Sequence, residues 1–453
     1  NLINLNNDWV LNFPIPDVKC PLVLDFDIAD ISGITCQITP QQNIKSENGK
    51  KTFHLTNPKE KEISITYKSM KNMALKSPNT DTTESYFSSF ISPVFPISSN
   101  SKISDNAIIA LDISLSSNPD KFNVWLKLTE AILLNNRSTI KYFNVLLYNI
   151  ETFWWKPHLV ENTPENVSAF LKYANLIALE GASDIGLALS QIFNNKGLKS
   201  SSDNIFLLSD GADTWGESGN FEISKNINQN DILFAFNTGM SGTSKSKLNH
   251  LAKTSGGAVF SVTGEDEIKK ASTAFKSKPW KIEDVEISGA KDILIAGRPE
   301  YIYPGQNLLI VSRGSLSEKL KVKLLVSQGD IKKDITVTIN QTIESNLTSR
   351  IYGQVATDIL EELDYFTAKK SIAYAKHFSI PGKTCSLLML DTEEDYKEYN
   401  ITATEDAFVV NSTTVNQIID DVLKNIADII GNTKVEFKNQ LKKLSKTDGI
   451  KFD

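Results

Sequence analysis

The strongest constraint in the sequence is a buried strand that ends in a cluster of oxygen-bearing side chains. Residues 108–116 read Ile-Ile-Ala-Leu-Asp-Ile-Ser-Leu-Ser, and an apolar run this short is typical of a buried strand. Its end carries Asp112, Ser114 and Ser116 at every second position, and a helical pattern follows over residues 118–134. A strand that leads into a helix at such a cluster predicts an open α/β site at the carboxyl end of a sheet.

Two further loops carry oxygen-bearing side chains. Ser183 lies in Gly-Ala-Ser-Asp just before an apolar-periodic helix, and Asp210 follows the buried strand 205–208. We expect one rim of the sheet to collect all of these side chains, namely Asp112, Ser114, Ser116, Ser183 and Asp210. Carboxylate and hydroxyl oxygens are hard ligands that suit Mg²⁺ better than Zn²⁺, and Ca²⁺ or Mn²⁺ could take the same oxygens.

Composition narrows the classes of function. The 453 residues carry 48 Lys and Arg against 54 Asp and Glu, a formal net charge of -6, whereas nucleic-acid binding favours a basic surplus. The three cysteines show no CxxC spacing, and the four histidines lie on separate predicted elements, which argues against a zinc ribbon. No apolar run approaches the length of a transmembrane helix. No phosphate-binding loop or nucleophile set is present, so we expect no enzyme.

The pattern along the chain predicts five segments. Residues 104–275 alternate strands and helices, which favours a mostly parallel sheet covered by helices on both faces. Around this α/β domain we expect β-rich segments 1–97 and 279–345, a helix plus a strand in 346–403, and amphipathic helices in 404–453. Each β-rich flank has too few strands to bury two faces, so the flanks are predicted to form one body into which the α/β domain is inserted.

Three local predictions are sharper. Asn48-Gly49 indicates a hairpin, because a type I′ turn needs positive φ at both central positions. Residues 350–377 read as one helix, and Thr384 to Leu390 as a buried strand. In the C-terminal segment a continuous apolar stripe is expected to be buried against the flanks or against another subunit; it consists of Ile419, Val422, Ile426 and Ile430.

The three loops, in this order, resemble the von Willebrand factor type A domain and its metal-ion-dependent adhesion site. In that family the first loop is Asp-x-Ser-x-Ser, the second usually carries Thr and the third carries Asp. Here Ser183 replaces the Thr and retains a hydroxyl. The resemblance implies a Rossmann-like fold, a bound Mg²⁺, and a partner carboxylate that fills the open coordination position.

The flanks resemble proteins that pair a VIT domain with an A domain, such as the inter-alpha-trypsin inhibitor heavy chains. The segments 210–217 and 381–396 carry this likeness most clearly, and it spans roughly residues 20–400. The N-terminal part of a VIT domain is absent, and the chain begins with Asn1, so we interpret it as a piece of a longer protein. The resemblance implies a hub made of both flanks, and an extracellular or cell-surface location, to which six Asn-x-Ser/Thr sequons add weak support.

These patterns leave three functions open. The first is a non-enzymatic, metal-dependent binding module for a protein or matrix ligand that presents a carboxylate. The alternative is a scaffold subunit of a larger assembly in which the metal is structural or absent, with the C-terminal helices available for oligomer contacts. A metal-dependent hydrolase is the third.

Overall fold

The N-terminal part of the chain folds into two small antiparallel sheets. The computed structural model describes residues 2–5, 8–16, 18, 20–30, 34–68, 73–77, 85–95, 104–194, 203–225, 227, 231–238, 242–262, 265–304, 306–315, 320–363, 366–383, 385, 397 and 413–425. The first strands are β1 (Leu2–Leu5), β2 (Asp8–Pro14), β3 (Val23–Ala29), β4 (Cys36–Thr39), β5 (Lys45–Glu47), β6 (Lys50–Thr56) and β7 (Glu62–Tyr67). One sheet has the order β1-β2-β7-β4 and the other β3-β6-β5.

The two sheets share a small core that includes Ile38, Phe53 and Ile63. Asn48 and Gly49 join β5 to β6 with φ of 52° and 73°, and the strands pair from Glu47 to Lys50. The predicted hairpin is therefore confirmed.

An α/β domain follows two strands, β8 (Met73–Lys76) and β9 (Ser85–Ile91). Its strands are β10 (Asn106–Asp112), β11 (Tyr142–Tyr148), β12 (Thr152–Trp154), β13 (Val160–Glu161), β14 (Asn204–Leu208), β15 (Ile232–Asn237) and β16 (Val259–Ser261). Its helices are α1 (Pro119–Asn135), α2 (Pro164–Ala174), α3 (Ile185–Asn194), α4 (Asn220–Ser224), α5 (Lys245–Thr254) and α6 (Glu265–Ala274).

The sheet of this domain has the order β12-β11-β10-β14-β15-β16, with β13 paired to β11. Five strands run parallel, and only β12 and β13 run antiparallel to their neighbour. Successive side chains of β10 point to opposite faces of the sheet. Ile109 and Leu111 pack against α1, whereas Ile108 and Ala110 pack against α3 and α5. The predicted α/β class, with a mostly parallel sheet between helices, is thus confirmed.

The second flank builds a β-sandwich from β17 (Trp280–Ile287), β18 (Ala290–Ile295), β19 (Tyr301–Ile302), β20 (Leu308–Gly314), β21 (Lys321–Gln328), β22 (Ile331–Thr338) and β23 (Gln341–Glu344). One sheet has the order β19-β17-β21-β22, and the other β18-β20-β9-β8-β23. Leu308 pairs with Ile91 in the second sheet. The flanks therefore meet through β8 and β9, which enclose a shared core with residues such as Phe87, Ile310 and Leu324.

This arrangement divides the predicted segment 1–97 in two. Residues 2–67 have their own core, while residues 73–95 supply strands and apolar side chains to the second sandwich. The physical reason is burial: β9 is apolar on one face, and Phe87 and Ile91 reach zero exposure only between β8 and β20.

Helices cover the outer face of the second sandwich. They are α7 (Leu347–Glu361), α8 (Ala368–His377) and α9, which spans residues 415–425. The prediction of one helix over 350–377 is wrong, because the helix is interrupted between α7 and α8. At the break the Thr367 hydroxyl donates to the carbonyl of Leu360, and such local side-chain bonds compete with the helical ladder.

The C-terminal stripe is only partly described. Ile419 is fully buried in the cluster formed with α7 and α8, and Val422 is partly buried against it. Outside the described residues lie the other predicted stripe residues, Ile426 and Ile430, and the second amphipathic helix. The strand predicted from Thr384 also lies outside them, apart from Cys385. Within the described part of the chain, no helix is long and apolar enough to cross a membrane.

Candidate functional site

The central strands bring the predicted rim together. β10 lies between β11 and β14, all three parallel, with Leu111 paired to Leu208. Asp112 and Ser209 therefore leave the sheet at the same level. The loop before α3 joins this edge, since the Leu115 amide donates to the carbonyl of Gly181 over 3.0 Å.

Asp112 is the centre of the site and is completely buried. Its Oδ1 accepts a hydrogen bond from the Ser114 amide at 2.9 Å. Its Oδ2 accepts from the hydroxyl of Ser183 at 3.0 Å and from the hydroxyl of Ser209 at 2.8 Å. All of these donors are neutral. Burial raises the pKa of Asp112, and the nearby charge of Asp210 raises it further.

The remaining hydroxyls of the first loop lie beside this carboxylate. Ser114 Oγ and Ser116 Oγ are 3.0 Å apart. Ser117, which the sequence analysis did not single out, turns its hydroxyl back to the carbonyl of Asp112 at 3.1 Å. Hydrogen bonds thus connect four of the five predicted side chains: Asp112, Ser114, Ser116 and Ser183.

Asp210 occupies the neighbouring position with a partner of its own. Its Oδ1 accepts from the Ala212 amide at 3.0 Å, and its Oδ2 accepts from Lys121 Nζ at 2.8 Å. Both side chains are almost fully buried, at 4% and 1% exposure. The same ammonium also donates to the carbonyl of Ser116 at 3.1 Å. Lys121 therefore bridges the first and third loops.

Lys121 and Ser209 were missed by sequence reasoning, although a signal existed for each. Lys121 continues the buried stripe of α1, being four residues before Trp125 and seven before Leu128. Ser209 directly precedes Asp210 at the end of β14, where parallel register sets it beside Asp112.

The side chain of Tyr148 is a buried phenol next to the site. Tyr148 pairs with Asp112 across β10 and β11 and has no solvent exposure. Burial raises its pKa well above the usual value, and the charge of Asp112 adds to that rise. The phenol therefore stays neutral and contributes no second negative charge.

An uncharged groove adjoins the site. Leu115, which sits between two of the predicted ligands, forms one end of a cavity of about 470 Å³ between the start of α1 and the end of α2. Its floor includes Phe122 and Ala174, and its polar groups are amides; the lining consists of Leu115, Asn118, Pro119, Phe122, Asn123, Ala174, Asn175, Ile177 and Leu179.

Large apolar side chains stand exposed around the same rim. Leu115 is 70% exposed, Leu176 86% and Trp215 63%. Trp215 belongs to the loop after Asp210, and its amide donates to the carbonyl of Ser183 at 3.1 Å. The backbones of Leu115 and Trp215 are thus both hydrogen-bonded to the loop that carries Ser183.

The donor set fits a hard divalent cation. Two carboxylates and several hydroxyls converge, and Asp112 has only neutral partners among the described residues. Oxygen-only sets of this kind match Mg²⁺, which keeps several of its waters. No group of three or more His, Cys, Asp or Glu side chains that could hold a metal occurs in the described part of the chain, so the candidate site depends on its hydroxyls.

No family model matches this sequence, and no curated protein matches it. Solved structures with a similar arrangement include von Willebrand factor A proteins. The ArnB paralog VWA2 of Sulfolobus acidocaldarius is 14% identical over 67% of this chain and 87% of that chain, with a TM-score of 0.31. BatB of Bacteroides thetaiotaomicron is 18% identical over 37% and 94%, with a TM-score of 0.27.

A further similar structure is the pilus adhesin SpaC of Lactobacillus rhamnosus GG, which is 10% identical over 59% of this chain and 48% of that chain, with a TM-score of 0.30. Likeness at these values establishes no shared function.

Proposed function

We propose that this protein is a non-enzymatic, divalent-metal-dependent binding module for a protein partner that presents a carboxylate. The side chains proposed to hold Mg²⁺, directly or through water, are Asp112, Ser114, Ser116, Ser183 and Asp210. The observation that supports the proposal is the burial of the Asp112 carboxylate among neutral hydrogen-bond donors. A fully buried carboxylate held only by neutral donors lacks a countercharge, and a cation at the rim would supply it.

The strands and the serine hydroxyls position the proposed ligands. The parallel strands hold Asp112 and Asp210 at one edge, and the hydrogen bonds among the serines keep their oxygens close together. When bound, Mg²⁺ supplies a doubly charged centre that can take a carboxylate oxygen from a partner. Ca²⁺ or Mn²⁺ could serve the same oxygens.

The surroundings support a protein partner. Leu115 and Trp215 are exposed in the first and third loops of the site, and Leu176 is exposed next to the groove residue Asn175; exposed apolar and aromatic groups of this kind are typical of binding hot spots. The groove beside Leu115 presents the side chain of Asn123, together with Asn118 and Asn175, whose amides also bond to the ends of α1 and α2, over an apolar floor. Such a lining suits a peptide segment, whose backbone needs hydrogen-bond partners while its side chains seek burial.

The alternative function also has a specific observation in its favour. Lys121 already provides one positive charge to Asp210. If that charge is sufficient, the rim needs no ion, and the protein acts as a scaffold subunit with apolar contact surfaces. We propose an extracellular or cell-surface location with the primary function, because metal-dependent adhesion of this kind acts between partners outside the cell.

Calorimetric Mg²⁺ titration of the wild type and Asp112→Ala, with thermal melts of both, tests the proposal. We expect saturable binding by the wild type, and none by a variant that still melts cooperatively. Capture of partners from the native source should then require Mg²⁺, be lost with EDTA, and be lost with Asp112→Ala. Equal metal binding by both proteins contradicts the site, and metal-independent capture supports the scaffold function.

A further inference from the structure

The cationic side chain inside the candidate site points to a control on its metal affinity. Lys121 Nζ lies 2.8 Å from Asp210 Oδ2 and 3.1 Å from the carbonyl oxygen of Ser116. The ammonium thus touches two of the three loops that carry the proposed ligands. It is 4% exposed, although lysine is rarely buried unless it is paired.

The helix does not explain this burial. Lys121 lies in the first turn of α1, which begins at Pro119, and the positive end of a helix dipole disfavours a cation there. The cost of removing an ammonium from water adds several kcal/mol to that. The pairing with Asp210 offsets both effects, so the interaction between Lys121 and Asp210 keeps the ammonium in place.

The same pairing occupies an oxygen that the proposed metal site needs. Asp210 Oδ1 accepts from the Ala212 amide and its Oδ2 from Lys121, while the Asp210 carbonyl accepts from the Ser244 amide at 2.7 Å. The backbone of Gly242 lies next to the ammonium, because a Cβ there would come within 3.6 Å of Nζ. The ammonium is therefore enclosed, and both carboxylate oxygens of Asp210 are engaged without a metal ion.

We propose that Lys121 is a built-in cation that competes with the divalent metal for Asp210 and thereby lowers the metal affinity of the site. In the absence of metal it neutralises Asp210 and holds the first and third loops together. Direct coordination of a metal ion by Asp210 Oδ2 would bring a second cation against the oxygen that Nζ already contacts, so the two cations compete for it. This inference rests on the proposed function, since it concerns the same five ligands.

The substitution Lys121→Met tests this competition, because Met keeps most of the length and loses the charge. We expect the variant to bind Mg²⁺ at least about tenfold more tightly, a change of about 1.4 kcal/mol in binding free energy. We also expect it to melt at a lower temperature in EDTA, because Asp210 then lacks its buried countercharge, and to recover that loss when Mg²⁺ is added. Lys172→Met, at an exposed position on α2, is the matched control and should change neither quantity.

The outcomes separate this inference from the proposed function. If Lys121→Met folds and binds Mg²⁺ no more tightly than the wild type, Lys121 is no competitor, while the proposed function stands. If the affinity falls, Lys121 positions Asp210 for the metal, and the inference is wrong. If the wild type binds no Mg²⁺ and Lys121→Met does, the inference holds and the native rim is metal-free. If neither binds, both proposals fail. Lys121→Arg keeps the charge and should stay at or below wild-type affinity, which guards against a fold defect in the Met variant.

Discussion

The hydroxyl of Ser209 lies 2.8 Å from Oδ2 of Asp112, although the two residues are 97 positions apart. Ser209 also accepts a hydrogen bond from the Gly211 amide at 3.0 Å. The serine therefore shapes the turn that delivers Asp210 while it solvates the buried carboxylate of Asp112. This double role makes it the most informative of the residues that the sequence did not reveal.

Replacing Ser209 by Ala should lower the free energy of unfolding by about 1–3 kcal/mol, because Asp112 Oδ2 loses one of its two donors and the Gly211 amide loses its acceptor. Urea denaturation measures the change. Ser168→Ala, at an exposed position on α2, serves as the control and should stay within about 0.5 kcal/mol of the wild type. Equal stability of Ser209→Ala and Ser168→Ala would show that the turn does not depend on this hydroxyl.

Asp210→Ala should destabilise the protein more than Asp112→Ala does in EDTA. Removing Asp210 leaves the ammonium of Lys121 buried without its countercharge, which costs about 3–5 kcal/mol. Removing Asp112 leaves only neutral donors, and the hydroxyls among them can reorient. The double variant Asp210→Ala with Lys121→Met should recover most of the loss, so a double-mutant cycle by thermal or urea unfolding isolates the pair. Additive effects of the two substitutions would contradict the pairing.

Asp358 predicts a pH dependence of stability with a defined sign. Burial raises its pKa to about 6, although Gln354 donates to it at 2.8 Å and opposes the rise. The unfolded value is about 3.9, so the folded protein binds the proton more tightly between those values. The free energy of unfolding contributed by this group therefore falls as pH rises from about 4 to 6 and is constant above that range.

Asp358→Asn should remove this dependence. We expect the variant to be more stable than the wild type at pH 7, by up to about 2–3 kcal/mol, and equally stable near pH 4. Denaturation at a series of pH values measures the difference, with Asp330→Asn at an exposed turn as the control. Parallel pH profiles of wild type and Asp358→Asn would contradict the prediction.

Filling the groove should block the partner without touching the metal. Asn123 is exposed on α1 and lines the cavity beside Leu115, so Asn123→Trp places a large ring where we expect a peptide segment. Binding to an immobilised peptide library with a fixed Asp should weaken by about tenfold or more, while the Mg²⁺ titration stays unchanged. Lys127→Trp adds the same ring at an exposed position outside the lining and should bind normally. Unimpaired binding by Asn123→Trp would place the partner elsewhere.

The C-terminal helix contributes to the stability of the second sandwich. Ile419 is fully buried, whereas Leu423, one turn further along, is 38% exposed. Ile419→Ala should cost about 2–5 kcal/mol because it opens a cavity, and Leu423→Ala less than about 1 kcal/mol. The helix is also held at its start, where the Val415 amide donates to Oδ2 of Asp292 at 3.1 Å. Similar urea midpoints for both variants would show that α9 adds little to the fold.

The sequence can place Asp112 and Asp210 at one edge because the ends of neighbouring parallel strands converge by geometry; that these residues hold a metal ion stays a prediction. Asp112, Ser114 and Ser183 needed only the correct assignment of β10, α3 and β14. Lys121 could not be predicted in the same way, since a lysine at a helix start is normally solvated, and only the carboxylate of Asp210 across the loop makes its burial favourable. The pairing of distant strands also cannot be predicted from a local pattern, because the sequence of β9 alone does not specify β20 as its neighbour. The break at Thr367 depends on one hydroxyl reaching back to Leu360, a contact that periodicity does not encode.

The pairing of β9 with β20 has a consequence for how the chain is made. Ser92 and Asn307, which are joined by a hydrogen bond at the end of this pair, are 215 positions apart. During synthesis the α/β domain leaves the ribosome with every strand of its own sheet, whereas β9 emerges long before β20 exists. The sandwich can therefore close only after residue 314, and until then the apolar face of β9 is exposed in the nascent chain. Domains generally fold as units as they emerge, so we expect the inserted domain to fold first and to bring the two halves of the sandwich together.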